Sequence, residues 1–487
     1  MTLLCLAAMW LLGFGLVRWM FPQPLRLSLH NVLLFALGIG AGAGVASCLY
    51  FVSLMLAGPG VKVLASATGA AVVIALALGL LAKRKGVELD WADGPTGPWY
   101  LTALFLMAAA LAVTMFLGAI TYNPHGDEGA WSIWNLRARF LFRAGAFWRD
   151  AFSSDLAWTH PDYPLLLPGL VTLCWKLTGQ ESSDAPIAIA FLFALGTTGV
   201  LVSTLAVIRG RTQALIAGTL LLGTASFVAL SAALYGDVPL SFYFLATIAL
   251  LCLQDRHPED WRFTALAGLM AGFAAWTRNE GAIFVIAVIA ARAFALFRFR
   301  QRARIVPQLL RFLAGLAVPL AVVTTFKLRV AGASDLLSTP ASAILKHLAD
   351  PGRWIMTVQG FVIVLFTFGR FLIPMVLALG LYWYLVRFRV DVRDRAALAT
   401  AGIALGLTFV TQLLVDILYV SNLPIEISTS FERILLQLWP AVLLMFFLAS
   451  GPLQLVAARA PKKAGKETKV SKETKAHRPA RRIVETR

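Results

Sequence analysis

Charge is what this sequence lacks. Only 14% of its 487 residues are Asp, Glu, Lys or Arg, against 59% that are hydrophobic. A soluble fold has nowhere to put so much apolar surface, because single cores stop growing at about 250–300 residues. Cysteine is scarce too. Cys5, Cys48, Cys174 and Cys252 are scattered, each in or beside an apolar segment. That spacing supplies neither a disulfide framework nor a metal-ligand set and reads as apolar packing. The first apolar run lacks the small-residue cleavage pattern of a signal peptide and ends on Arg18-Trp19, so a retained helix is expected. No aromatic or sequence motif accompanies the basic residues in the way nucleic-acid binding requires, and no nucleic-acid partner is expected.

What is present is a succession of apolar runs, roughly thirteen of them, from 3–21 to 433–457. Each is long enough to cross about 30 Å of hydrocarbon as a helix. Two shorter pieces, 165–177 and 357–369, are expected to lie in the interface or to re-enter. The expected fold is therefore all-α, a polytopic transmembrane helical bundle with outer-face loops and interfacial helices. It divides into N-terminal transmembrane helices over 1–98, a transmembrane core over 99–458 with a large loop at 122–184, and a basic tail over 459–487.

Most of the remaining charge is basic. Of the net +18, the last 29 residues supply +8, from eleven Lys/Arg against three Glu. "KETKVSKETK" (Lys466–Lys475) has no apolar face, so this tail is expected to be disordered and cytoplasmic. It either attracts anionic lipid headgroups or acts only as a solvated, topology-setting extension. Short Lys/Arg-rich loops stay cytoplasmic. "KRK" (Lys83–Lys85), "RGR" (Arg209–Arg211), "RFRQRAR" (Arg298–Arg304) and "RFRVDVRDR" (Arg387–Arg395) belong to that side. Threading the chain with these inside puts five other loops on the opposite face: 122–184, Tyr235–Val238, Thr277–Gly281, about 330–356, and Ser421–Glu432.

Those five loops hold the clusters of acids, arginines and aromatics, while mid-span positions are almost purely Ala, Leu, Val, Gly and Phe. A lipid or polysaccharide transporter or flippase would carry polar groups near the midplane. This pattern suits instead an enzyme working at the outer membrane–water interface. A non-catalytic scaffold would have no use for the clustering. The densest cluster is "TYNPHGDEGAWSIWNLRARFLFRAGAFW" (Thr121–Trp148), with His125, Asp127, Glu128, Arg137, Arg139 and Arg143. Asn123-Pro124 signals a turn, and Gly126 and Gly129 free the backbone beside the acids. Asp127 and Glu128 are adjacent and point about 100° apart on a helix, so they act separately or serve as a solvated helix start. "WTHPDYPLLLPG" (Trp158–Gly169) offers His160, Asp162 and Tyr163 in a rigid, Pro-rich entry. His160 and Asp162 with His125 and Asp127 make a divalent cation one candidate cofactor, although the spacing is no metal signature.

"PHGDEGAW", "HPDYPLLLPG", "YGDVPLSFYFLA", "AWTRNEG" and "STSFERILLQLWP", in that order, resemble the polytopic GT-C glycosyltransferases. Within them they look like the bacterial branch related to protein O-mannosyltransferases, lipid A aminoarabinose transferase and the lipopolysaccharide-core galacturonosyltransferases. The resemblance covers roughly residues 100–450 and departs from the usual pattern in having extra helices ahead of the large loop. It implies inverting transfer of a sugar from a polyprenyl-phosphate donor to a lipid, glycan or protein acceptor at the periplasmic face of the bacterial inner membrane. It further implies Asp127 as catalytic base and Glu128 as its helper. Arg137 and Arg433, with Lys346 and His347 as weaker candidates, would hold the donor phosphate. His125, His160, Tyr163, Tyr235, Asp237, Arg278 and Glu280 would shape the substrate pocket, with Asp416 lining the cavity.

Overall fold

In hydrocarbon every backbone N–H and C=O needs a partner within its own segment, and the apolar runs accordingly fold as helices. The structure, a computed structural model, describes residues 1–21, 29–81, 98–334, 339–370, 374–419 and 422–451. Among these residues there is no strand, only an isolated bridge between Phe388 and Ser450. The basic tail over 459–487 and the "KRK" loop lie outside the described residues.

The chain begins with α1 (Thr2–Met20), α2 (Leu29–Ala57), α3 (Val61–Leu81) and α4 (Trp99–Tyr122). The large loop contains α5 (Asn135–Arg143) and leads into α6 (Leu166–Thr178). There follow α7 (Asp184–Arg209), α8 (Arg211–Gly223), α9 (Ala225–Ala232), α10 (Asp237–Arg256), α11 (Arg262–Thr277), α12 (Asn279–Arg298) and α13 (Ile305–Arg329). The last five are α14 (Ala341–Leu348), α15 (Pro351–Thr367), α16 (Met375–Val386), α17 (Arg395–Tyr419) and α18 (Leu423–Ala449). Eleven described helices are long and apolar enough to cross a membrane, and twelve if α8 and α9, bent by 58° at their junction, count as one span.

The centre is α10, apolar all round and wholly buried, as such a helix must be. It packs against α7, α11 and α18. Small residues let neighbours approach without a hydrophobic driving force. A Cβ on Gly315 would lie 1.8 Å from the Ala265 carbonyl oxygen, so α11 and α13 touch there only because the residue is glycine. The helix α2 is part of this core: Tyr243 Oη donates to the Gly40 carbonyl (2.9 Å), and Trp276 Nε1 to Ser47 Oγ (2.9 Å). Ser47 in turn donates to the Leu165 carbonyl (3.1 Å). All described residues fall in one compact unit. By contrast α3 and α4 bury little, and Leu106, Met107, Leu111 and Met115 on α4 face outward, as surfaces solvated by lipid do.

The polar loops sort to two ends of the helices. At one end two of the described basic loops, around Arg209 and around Asp394, meet. Arg256 is bidentate to the fully buried Asp394 (2.8 and 2.7 Å), Arg209 lies 3.6 Å from the same carboxylate, and Gln213 Nε2 donates to the Gly451 carbonyl (2.8 Å). The five other loops meet at the opposite ends of those helices. Two expectations need correction. The piece 357–369 is not short, because its helix starts at Pro351, behind the Asp350 cap (Gly352 N to Oδ1, 2.9 Å). Nor is Ser421–Glu432 a loop. From Leu423 it is the first turns of α18, capped by Asn422 with proline in the first turn, and the polar "STS" is one side of a helix.

Candidate active site

A cavity of about 410 Å³ opens at the loop end. Its wall takes Gly129 and Trp134 from the first motif, His160 and Tyr163 from the second, Tyr235 from the third, Arg278 and Glu280 from the fourth and Arg433 from the fifth. Side chains more than 300 residues apart in the chain thus share one space. Two of the motifs arrive at helix breaks, Leu234 being left-handed (φ 60°) just before α10 and Arg278 extended (φ −153°) between α11 and α12, whereas Arg433 projects from inside α18. Breaks at this depth are tolerated where the backbone lines a cavity.

Asp237, in the first turn of α10 and fully buried, organises the wall. It accepts from Arg278 Nη1 (2.7 Å), Arg433 Nε (3.1 Å) and Gln437 Nε2 (2.6 Å). Arg278 also forms a fork with Glu280 (2.6 and 3.3 Å) and lies over the Tyr163 ring at 5.5 Å, so its nitrogens are fully engaged. Arg433 differs. Its Nε bonds Asp237 and its guanidinium sits 4.9 Å over Tyr235, while the side chain keeps 28% exposure. Its two Nη groups make no hydrogen bond among the described residues, which leaves the fork that suits phosphate oxygens facing the cavity. His160 is left-handed (φ 52°) and stacks on Tyr163 at 4.8 Å.

The first-loop acids stand beside the cavity, which Gly129 lines and Asp127 and Glu128 do not. Gly126 is left-handed (φ +73°), and a Cβ there would meet the Ala233 carbonyl oxygen at 2.5 Å, so glycine is required at this turn. Asp127 N–H donates to that same carbonyl (3.3 Å), and Gly129 N–H donates to Tyr235 Oη (3.3 Å), which ties the loop to α10. A π-turn over Ala130–Trp134 follows, a feature frequent at functional sites. Asp127, Glu128 and His125 are exposed, and neither carboxylate has a hydrogen bond or ion pair among the described residues. Burial raises the pKa of Tyr235, and the nearby Asp127 charge adds to that rise against Gly129 and Arg433.

Three expected phosphate ligands are placed elsewhere. Arg137, on the first turn of α5, is 2% exposed beneath the site. Its Nη2 donates to the carbonyls of Thr159 and His160 (2.9 Å each), so it braces the strained His160 instead of reaching the cavity. Burial pulls its pKa down to about 10, opposed by Asp162 and Tyr163, and it remains a cation at neutral pH. His347 Nδ1 lies 2.7 Å from the Leu418 carbonyl, and Lys346 is exposed on α14; neither lines the cavity. The proposed cation ligands are not gathered either. Asp162 is buried and takes Asn279 Nδ2 (2.8 Å) and Lys327 Nζ (3.4 Å), and among the described residues no three His, Cys, Asp or Glu side chains form a metal-holding group.

Sequence reasoning missed several residues of the site. Gln412, Gln437 and Glu426 line the space. Lys327, from the end of α13, is not on the wall but supports it, reaching Asn279 Oδ1 (2.7 Å) and the Asp162 carbonyl (2.5 Å). Uncharged amides inside apolar runs were the available signal, since a buried amide needs partners.

Residues 162–327 match the family model described as dolichyl-phosphate-mannose-protein mannosyltransferase. No curated protein and no solved structure matches the chain. Over the matched span, which holds Asp162, Tyr163, Tyr235, Asp237, Arg278 and Glu280, the resemblance to the polytopic GT-C enzymes holds. The family indicates a mannosyltransferase-type glycosyltransferase in a multi-pass membrane protein. Asp127, Glu128 and Arg433 lie outside that span.

Proposed function

We propose that this cavity is the active site of an inverting glycosyltransferase that moves a sugar from a polyprenyl-phosphate donor to a lipid, glycan or protein acceptor. The observation that carries the reading is the meeting of five separated polar motifs on one cavity, with an unpaired carboxylate beside it and an arginine fork on its wall. Asp127 takes the acceptor hydroxyl proton as that oxygen bonds the anomeric carbon. The bond from that carbon to the phosphate oxygen breaks on the opposite face, and the phosphate leaves with the lipid. Glu128 holds the acceptor. The terminal nitrogens of Arg433 meet the phosphate where negative charge develops, the arrangement that contributes most when water is excluded. The exposed apolar faces of the flanking helices serve the polyprenyl chain. Basic loops at the far end support a site on the periplasmic face of a bacterial inner membrane, since Lys/Arg-rich loops stay cytoplasmic.

The test is sugar release from a labelled polyprenyl-phosphate donor by purified protein in lipid, with candidate acceptors supplied. A covalent glycosylated product supports the transferase. Movement of intact donor across vesicles without product would favour a flippase instead.

Two variants probe parts of the site. Arg433→Ala is expected to weaken donor binding about tenfold or more, in line with the roughly 1.5–3 kcal/mol of a charge-assisted hydrogen bond, and to leave acceptor binding unchanged. Equal donor affinity in a titration of both proteins would remove Arg433 from the phosphate. Gly126→Ala imposes a left-handed alanine and a clash with Ala233, a strain on the order of 1–3 kcal/mol. Because the first loop is held by few bonds, transfer should fall about tenfold while thermal unfolding of the bundle barely moves. Undiminished transfer would show that this turn does not position Asp127.

A further inference from the structure

We infer that Cys5 and Cys174 are the two halves of a disulfide that fastens the N-terminal helix to a helix of the large loop. The inference goes beyond the transferase reading and rests on one part of it, the assignment of that loop to the periplasmic side.

The two cysteines are 169 residues apart, and nothing in their spacing pairs them. The fold does. Cys5 Sγ lies 3.3 Å from Cys174 Sγ, with both side chains buried. Cys5 sits one turn into α1, its N–H donating to the Met1 carbonyl (3.1 Å), and Cys174 sits one turn before the end of α6. Non-bonded carbons settle at about 3.5–4.0 Å. Sulfur is the larger atom, so apolar packing alone does not press two sulfurs this close. Cys48 on α2 and Cys252 on α10 are buried as well, and neither meets a second sulfur.

Compartment decides what becomes of such a pair. Disulfides persist in the bacterial periplasm and are rare in the cytosol. Just beyond α6, Glu181 pairs with Arg139 (2.9 Å) and Arg143 (2.6 Å), which keeps Cys174 with the large loop. Cys252 lies one turn before Arg256, at the end where the basic loops meet, and stays reduced there.

The bond also has something to hold. Only 39% of α1 is buried, and in lipid an apolar helix gains no hydrophobic drive to dock. On the other side, Thr172 Oγ1 of α6 donates to the Ala138 carbonyl of α5 (3.2 Å), next to the arginine that braces His160. A Cys5–Cys174 bond therefore ties α1 to the support of the candidate site.

The oxidant is a disulfide of a periplasmic protein. One cysteine thiolate attacks it, giving a mixed disulfide and one oxidant thiolate, and the second cysteine thiolate displaces the other. In sum, two cysteine thiols and the oxidant disulfide become the Cys5–Cys174 disulfide and two oxidant thiols. Cys5 is 7% exposed and Cys174 0%, so the exchange belongs to assembly, before α1 docks.

The test counts thiols in the full-length protein taken from bacterial membranes, quenched in acid and alkylated in denaturant without reductant. Two alkylated cysteines, Cys48 and Cys252, are expected, with a digest peptide joining Cys5 to Cys174 that comes apart on reduction. In Cys174→Ser, three thiols should be alkylated, Cys5 among them. Four alkylated thiols in the unmodified protein overturn the inference, as does a bond between any other pair, or a Cys5 that stays blocked in Cys174→Ser. A separate variant, Ser154→Cys in the large loop, is treated in intact spheroplasts with a membrane-impermeant maleimide. Four free native thiols with Ser154→Cys labelled from outside sink the bond and leave the loop periplasmic. Four free thiols with Ser154→Cys unlabelled sink both.

Discussion

Asp127→Asn is expected to abolish sugar transfer, with kcat falling by about 10²–10⁴-fold, the usual contribution of a positioned base. The substitution keeps the size of the side chain and removes only its ability to take a proton. Asp127 is well suited to such a clean experiment, because its carboxylate is exposed and makes no hydrogen bond or ion pair among the described residues. Its backbone, not its side chain, ties the loop to α10 through Ala233. Membrane insertion, thermal unfolding and donor binding should therefore be those of the unmodified protein, and only turnover should change. Glu128→Gln, next to it and equally unpaired, should cost less, because a helper orients the acceptor without carrying the proton. A mutant of Asp127 that retains substantial turnover would remove it as the base. A larger loss in Glu128→Gln than in Asp127→Asn would exchange the two roles.

What sequence could reveal followed from hydropathy and from side. Apolar runs show helices because a membrane admits little else, and basic loops sort one end from the other, so the five polar motifs were legible as one group. The cavity then formed from parts of that group. Two kinds of information were not in the pattern. Helix starts inside polar stretches were hidden: Leu423 begins α18 under an Asn422 cap, and the charges and hydroxyls that follow resemble a loop when read singly. Pairing was hidden as well. Arg137, Arg278 and Arg433 look alike in sequence, yet one braces backbone carbonyls, one is consumed by Asp237 and Glu280, and one keeps its fork open. Which arginine meets a ligand depends on which acids reach it first, and that is a property of tertiary packing. The roles of Gln412 and Gln437 were invisible for the same reason: an amide in an apolar run signals a partner but not its identity.

Asp237→Ala is the change expected to damage the structure most. It removes the one carboxylate that holds Arg278, Arg433 and Gln437 together, at a fully buried position. Breaking a buried ion pair from one side typically costs about 3–5 kcal/mol, because the partner is left desolvated and uncompensated. The cost here belongs at the lower end, since Glu280 still neutralises Arg278 and Arg433 can turn toward the open cavity. Thermal unfolding in lipid should drop clearly, in contrast to Asp127→Asn. Asp237→Asn should cost less, because the amide oxygen still accepts one bond. A double change, Asp237→Leu with Arg278→Met, separates the two things the pair does. If the pair only stabilises, an apolar replacement of similar volume should recover stability and leave donor affinity intact. If it also sets the position of Arg433, stability should return while donor affinity stays low, because the remaining arginine fork has lost the acid that aims it. We expect the second result. Full recovery of both would show that Arg433 finds the phosphate without Asp237.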